Sequence, residues 1–283
     1  MKKTIMLLVL CLLTWQWANA QATMACCTKP TEATAQFAML ASDAAFRGKH
    51  DNPLPFKLQN MTGKKVTFKT PDGKTGMAYE IKAARQTDNY LFVIHEWWGL
   101  NDYIKQEAER LGKDLGNVNI LALDLYDGKI ATTSQEAQKY VQTVTTERAQ
   151  NIIKGAIAYA GKDADIATIG WCFGGSWALQ AGLLAGDNAE AVVMYYGMPE
   201  DDVERLKKLD APVLGIFASQ DTHITPKIVQ QFEQNMKKAG KNLTVKMYDA
   251  DHAFANPSNP KHNKAFTAEA YKLSVDFLKK HFD

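Results

Sequence analysis

The sequence predicts an α/β fold in which a mainly parallel central sheet is covered by helices on both faces. Two observations point there. Six short apolar runs, at 90–94, 119–123, 166–171, 191–195, 213–218 and 243–248, alternate with stretches of helical spacing, and strands buried on both faces read as such continuous apolar runs. The residues able to do chemistry fall just past the ends of those runs, where loops converge in an open parallel sheet.

Taken in chain order, the first twenty residues read as an export signal. Lys2 and Lys3 form a basic start, Ile5 to Leu13 an apolar run, and Ala18-Asn19-Ala20 a small-x-small cleavage site. Thr14, Gln16 and Asn19 interrupt the run, which falls short of the roughly 20 apolar residues needed to cross a bilayer core. The expectation is therefore an exported protein, periplasmic or secreted, that begins near Gln21 and spans no membrane once the signal is removed. Loss of the two lysines takes the formal charge from +2 to zero, so there is no basic footprint for nucleic acid or an anionic membrane. The remaining chain of about 260 residues is long enough for one substantial core.

Residues 21–60 look like an N-terminal appendage, helical from Thr31 to Phe46 and then Pro-rich through Pro53 and Pro55, expected to lie on the surface of the main domain or to be partly mobile. The main domain is expected over 61–283. It opens with a hairpin, in which Val66 and Phe68 are followed by the turn Pro71-Asp72-Gly73 and by Met77, Tyr79 and Ile81. Helical spacing then joins Ile104, Ala108, Leu111 and Leu115, and later Phe266, Ala270, Leu273 and Phe277. No internal repeat is present, and the uneven spacing of the apolar runs argues against a solenoid or propeller.

After signal removal three cysteines remain, Cys26, Cys27 and Cys172, an odd number that cannot pair completely within one chain. The adjacent pair is open to three readings: a strained vicinal disulfide, an intermolecular tether, or idle thiols. No metal-binding spacing accompanies it. Cys172 is different, because Gly170-Trp171-Cys172-Phe173-Gly174 ends an apolar run and opens a helical stretch. This is the nucleophile-elbow pattern G-x-S-x-G with sulfur in place of the hydroxyl. The glycines suit a turn so sharp that flanking Cβ atoms would clash, and the first free N–H groups of the helix would favour a thiolate. A buried structural cysteine in a glycine-rich turn is the alternative.

Order along the chain favours chemistry. Asp221 follows the run 213–218 and His252 follows 243–248, so nucleophile, acid and histidine appear in the order seen on sheets of this kind. His252 would take the thiol proton and later protonate a leaving alkoxide, while Asp221 would fix its tautomer. Alone, Asp221 could cap the helix starting near Thr225-Pro226 and His252 could be an ordinary loop histidine. Ser176 lies a turn into the helix, off the tip of the elbow.

Beyond these residues the sequence resembles the dienelactone hydrolase family from about Gly63 to Phe282. The motifs are His95-Glu96-Trp97-Trp98-Gly99-Leu100-Asn101, Leu123-Asp124-Leu125-Tyr126, Gly170 to Gly175, Tyr195-Tyr196-Gly197, Asp221 with Pro226, and Tyr248 to Phe254. The resemblance implies an α/β-hydrolase fold with a Cys172-Asp221-His252 triad. It also implies that Glu96 lies close to the resting thiol and controls when the thiolate forms. The loop cannot be a zinc-protease helix, because H-E-x-x-H needs histidine where Gly99 stands.

The oxyanion hole is expected from the backbone N–H groups of Phe173 and Trp97. Trp97, Trp98, Trp171, Phe173 and Phe254 are candidates for an apolar acyl pocket, with Trp171 expected rather to pack in the core. Dienelactone enzymes hold a substrate carboxylate with arginines, and Asn256 stands where one is expected. Lys129 and Arg148 are the candidates to replace the other by position along the chain. Loss of a bidentate clamp weakens recognition of an acid and leaves the substrate class open, with Trp98, Phe254 and Asn256 lining its pocket. The expected activity is hydrolysis of a small ester or lactone through a thioester acyl-enzyme, with no cofactor and no metal. The alternative from another class is a cell-envelope binding or redox-responsive protein on the same fold.

Overall fold

The computed structural model describes residues 33–282. The expected export signal and the Cys26-Cys27 pair lie outside these residues. Two helices come first, α1 (Ala33–Ser42) and α2 (Ala44–Gly48), followed by the hairpin β1 (Lys64–Lys69) and β2 (Thr75–Ile81). The alternating part runs β3 (Asn89–Ile94), α3 (Asp102–Leu115), β4 (Asn119–Leu123), α4 (Ser134–Thr143), α5 (Thr146–Ala160), β5 (Asp165–Trp171) and α6 (Phe173–Ala185). It closes with β6 (Ala189–Tyr195), α7 (Val203–Leu206), β7 (Val213–Ala218), α8 (Pro226–Ala239), β8 (Leu243–Tyr248) and α9 (Lys264–Phe282).

The strands form one eight-stranded sheet in the order β1-β2-β4-β3-β5-β6-β7-β8. The hairpin pairs antiparallel onto β4, and every later pairing is parallel. Helices α3 and α9 pack together on one face, while α5 and α6 pack together with α1. Strands β4 and β7 are buried along their whole length, as the continuous apolar runs require. No helix among the described residues is long and apolar enough to cross a membrane.

Register sets the site. Ile94 pairs with Gly170, Trp171 with Tyr195, Tyr195 with Ile216, and Ala218 with Tyr248. The carboxyl ends of β3, β5, β6, β7 and β8 are therefore level along one edge, and the residues just beyond them converge. His95 ties two of the loops together. Its Nδ1 donates to the Glu96 carbonyl at 2.6 Å and its Nε2 accepts from the Leu125 N–H at 3.1 Å.

The N-terminal segment is more deeply embedded than a surface appendage. Phe37 and Phe46 are fully buried, meeting edge-on at 5.6 Å, and Phe37 also meets Phe173 at 5.4 Å. The polar passage that follows is tied down by backbone and side-chain bonds. Leu54 N–H donates to the Ser258 carbonyl at 3.1 Å, and Leu58 N–H donates to Asp102 at 3.1 Å. Aromatic side chains bury a large apolar area, and this packing rather than helix propensity holds the short helices in place.

Candidate active site

Cys172 stands between β5 and α6 with φ 57° and ψ −116°, a left-handed backbone conformation rare for a side-chain-bearing residue. The flanking glycines make it possible. A Cβ on Gly170 would lie 2.1 Å from the Gly174 carbonyl oxygen, and one on Gly174 would lie 2.2 Å from that of Ile94. The crowding inferred from the pattern is thus physical, and it holds the sulfur at the mouth of α6.

His252 Nε2 lies 3.2 Å from Cys172 Sγ, and His252 Nδ1 lies 2.5 Å from Asp221 Oδ2. Asp221 does not cap α8, whose first turn is capped by Thr225. Its second oxygen accepts the N–H groups of His223 and Ile224 at 2.8 and 3.0 Å. Burial alone would push the Asp221 carboxyl up, but the His252 charge and these hydrogen bonds hold it down at about 2. The Nδ1–H tautomer of His252 is therefore pinned, leaving Nε2 as the atom facing sulfur. Ser176 is buried and its hydroxyl has no hydrogen-bond partner among the described residues.

Burial pushes the Cys172 thiol well above its ordinary range, and the charges of Glu96 and Asp221 add to this, against the Phe173 N–H directed at it. The resting group is a thiol. Glu96 accepts from Tyr196 Oη at 3.2 Å and, through its other oxygen, from the Asn256 amide. Burial raises the Glu96 carboxyl to about 7, partly offset by His252 and Tyr196. Asn256 thus satisfies the glutamate, and its own oxygen accepts from the N–H and hydroxyl of Ser258.

A cavity of about 180 Å³ opens beside this group, lined by Glu96, Trp98, Trp171, Tyr195 and Asn256 and, farther out, by Arg110 and Tyr271. Trp98 and Asn256, expected in a substrate pocket, both line this cavity. Trp171 is buried in the core, as expected, and as the last residue of β5 it also reaches the cavity wall, its ring 5.4 Å from that of Tyr195. Phe254 does not line the cavity. It is buried among Tyr196, Tyr248 and Phe266, since its loop turns inward after His252. Trp97 and Phe173 are likewise wholly buried. The positions of Lys129 and Arg148 give the cavity no cation: Lys129 Nζ lies over the Tyr140 ring, and Arg148 is bound to Asp72 and Asp127. The cation at the wall is Arg110, which lies 3.3 Å over the Tyr271 ring and 3.9 Å from Glu107.

Two residues beside the triad were not singled out from the sequence. Tyr196 was visible only as part of a motif, and its ring lies 5.1 Å from that of His252. His50, from the N-terminal segment, stands 5.2 Å from the His252 ring and 4.6 Å from the Trp97 ring. Burial and the neighbouring His252 hold His50 down at about 3. Only its burial four residues after Phe46, one helical turn, could have hinted at this, and burial is not legible in that stretch.

Comparisons with known proteins bear on the family and the fold. The model of the dienelactone hydrolase family matches residues 77–282. Protein usf of Aquifex pyrophilus is 26% identical over 204 residues, which cover 68% of this chain and 87% of that protein. A carboxymethylenebutenolidase from a Pseudomonas strain is 29% identical over 133 residues, 45% of this chain and 55% of that one. Among solved structures, a dienelactone hydrolase-like promiscuous phosphotriesterase from metagenomic libraries superposes with a TM-score of 0.65 at 19% identity, covering 78% of this chain and all of that one. The last likeness speaks to the fold, an α/β-hydrolase sheet, and the family match spans most of the described sheet together with the elbow and both partner loops. The chain belongs to the dienelactone hydrolase family.

Proposed function

We propose that this protein hydrolyses small esters or lactones with Cys172 as nucleophile, His252 as general base and acid, and Asp221 as the group that orients the imidazole. The observation that carries the reading is the unbroken succession Sγ, Nε2, Nδ1, Oδ2 at one edge of the sheet, with spacings of 3.2 and 2.5 Å. In the first half-reaction the thiol proton passes to Nε2 while sulfur attacks the carbonyl carbon. The tetrahedral oxyanion is held by the N–H groups of Phe173 and Trp97, and its collapse expels an alkoxide that takes the proton from His252. In the second, water gives a proton to Nε2 and attacks the thioester. Sulfur leaves and recovers that proton.

Glu96 regulates the first step in this scheme. While its carboxylate faces the thiol, the thiolate is disfavoured, and substrate that displaces or neutralises the carboxylate releases the nucleophile. Such control suits an exported enzyme, as the leader-like first twenty residues suggest, because a resting thiol resists stray oxidation. Purification from the periplasm of a chain beginning near Gln21 would support export, and retention of the leader would count against it.

The cavity favours neutral or weakly polar acyl groups: Asn256 offers an amide already engaged with Glu96, and the nearest cation is held by Tyr271. The test is hydrolysis of p-nitrophenyl acetate and of matched lactones with and without a carboxylate, before and after iodoacetamide. The proposal expects thiol-dependent turnover that favours the uncharged substrates. Turnover indifferent to alkylation would refute the nucleophile, and a strong preference for acids would refute the pocket assignment.

A further inference from the structure

The N-terminal segment places a third donor beside the nucleophile and base. The ligand atoms of His50, Cys172 and His252 all lie within 4.8 Å of one another, and all three residues are buried. His50 Nδ1 is 2.7 Å from the Phe46 carbonyl, which can only accept, so Nδ1 carries the proton and Nε2 bears a lone pair. That Nε2 is buried with no hydrogen-bond partner among the described residues, an arrangement that is costly unless something occupies the lone pair. His252 likewise commits Nδ1 to Asp221, while its Nε2 faces the Cys172 sulfur at 3.2 Å.

Two imidazoles, each with Nδ1–H anchored to an oxygen and Nε2 aimed inward beside a thiol, match the donor set and outer anchoring of a zinc site. The anchors are a carboxylate on one ring and a backbone carbonyl on the other. We propose that His50, Cys172 and His252 form a site for a thiophilic divalent ion such as zinc(II), and that occupancy holds the hydrolase off by engaging its nucleophile and base together. Thiolate and imidazole donors around a tetrahedral ion lie ~3.5 Å apart. The pair Cys172 and His252 already meets this, at 3.2 Å, so only the His50 ring has to close in. Binding replaces the S–H bond with an S–metal bond and releases the thiol proton to solvent, leaving a fourth position for water. Neither step needs an oxidant or a reductant.

This inference uses two residues of the proposed triad but does not depend on turnover, and its test separates the two. The full chain, stripped of metal, is titrated with zinc(II) in equilibrium dialysis and with cobalt(II) in the spectrophotometer. Expected are one ion per chain and a near-ultraviolet thiolate-to-cobalt band. Cys172→Ser removes the band, and His50→Gln raises the zinc concentration for half-inhibition, relative to its own metal-free rate, by roughly 10-fold or more. Identical zinc sensitivity of His50→Gln and the parent, or cobalt bound without the thiolate band, overturns the site. A chain that binds cobalt through sulfur yet hydrolyses no ester would keep the site and remove the proposed function.

Discussion

Asn256 donates from its amide nitrogen to Glu96, and both side chains line the cavity. The position at which an arginine is expected therefore serves the protein's own carboxylate. Removing the amide leaves a buried oxygen without a partner, which costs about 1–3 kcal/mol. Asn256→Ala is expected to lose stability of that order in urea unfolding at pH 8. In combination with Glu96→Ala the losses should be clearly less than additive, and strict additivity would mean the pair is not coupled.

In the proposed scheme Glu96 governs the thiol through charge, so its influence must vanish where it is neutral. Burial raises its carboxyl to about 7. Below pH 6 it is mostly protonated, and above pH 8 it carries its full charge against the thiolate. Glu96→Gln should therefore alkylate at Cys172 several-fold faster than the parent at pH 8.5 and at a similar rate at pH 5.5, read by mass spectrometry of the iodoacetamide adduct. A constant ratio across that range would remove the electrostatic account.

The elbow depends on absent side chains. At Gly174 a Cβ would meet two backbone carbonyl oxygens, at 2.2 and 2.4 Å, and neither can yield without moving β3 and its loop. Gly174→Ala is expected to destabilise by at least ~2 kcal/mol and to lose thiol reactivity. Gly48→Ala, with nothing within 4 Å of the added carbon, should change stability by about 0.5 kcal/mol or less. Equal effects would show that the turn can accommodate a side chain at Gly174.

Phe46 contacts the rings of Phe37, Trp97, His223 and His252. If the N-terminal segment is part of the core, Phe46→Ala costs about 3–5 kcal/mol. Met39→Ala, on an exposed position of α1, should stay within about 0.5 kcal/mol of the parent. Chemical denaturation distinguishes these, and a Phe46 effect as small as that of Met39 would return the segment to the surface.

The strands were legible because they are continuous apolar runs. Each of the six lies within two residues of its expected position, and the hairpin shows itself through its Pro-Asp-Gly turn. The convergence of Cys172, Asp221 and His252 was legible because Cys172 carries its glycines with it and because Asp221 and His252 fall just past strand ends. What stayed hidden depends on contacts distant in sequence. The alanine-rich start of the chain has little contrast between its faces, so nothing marks Phe37 or Phe46 as core. Asn256 reads as a missing charge until its partner, 160 residues earlier, is seen. Phe254 left its expected place because aromatic type does not say which way a loop turns, whereas Trp171, on a strand, is buried in the core as expected.

The central claim is that sulfur 172 becomes acylated. Rapid acid quench of the enzyme with p-nitrophenyl acetate, followed by peptide mass spectrometry, should find the acetyl group on the peptide bearing Cys172. Cys172→Ala should show neither acetyl adduct nor turnover while retaining the parent's unfolding transition. A Cys172→Ala variant that hydrolyses the ester at the parent's rate, or an acetyl group on Ser176 in the parent, would contradict the account.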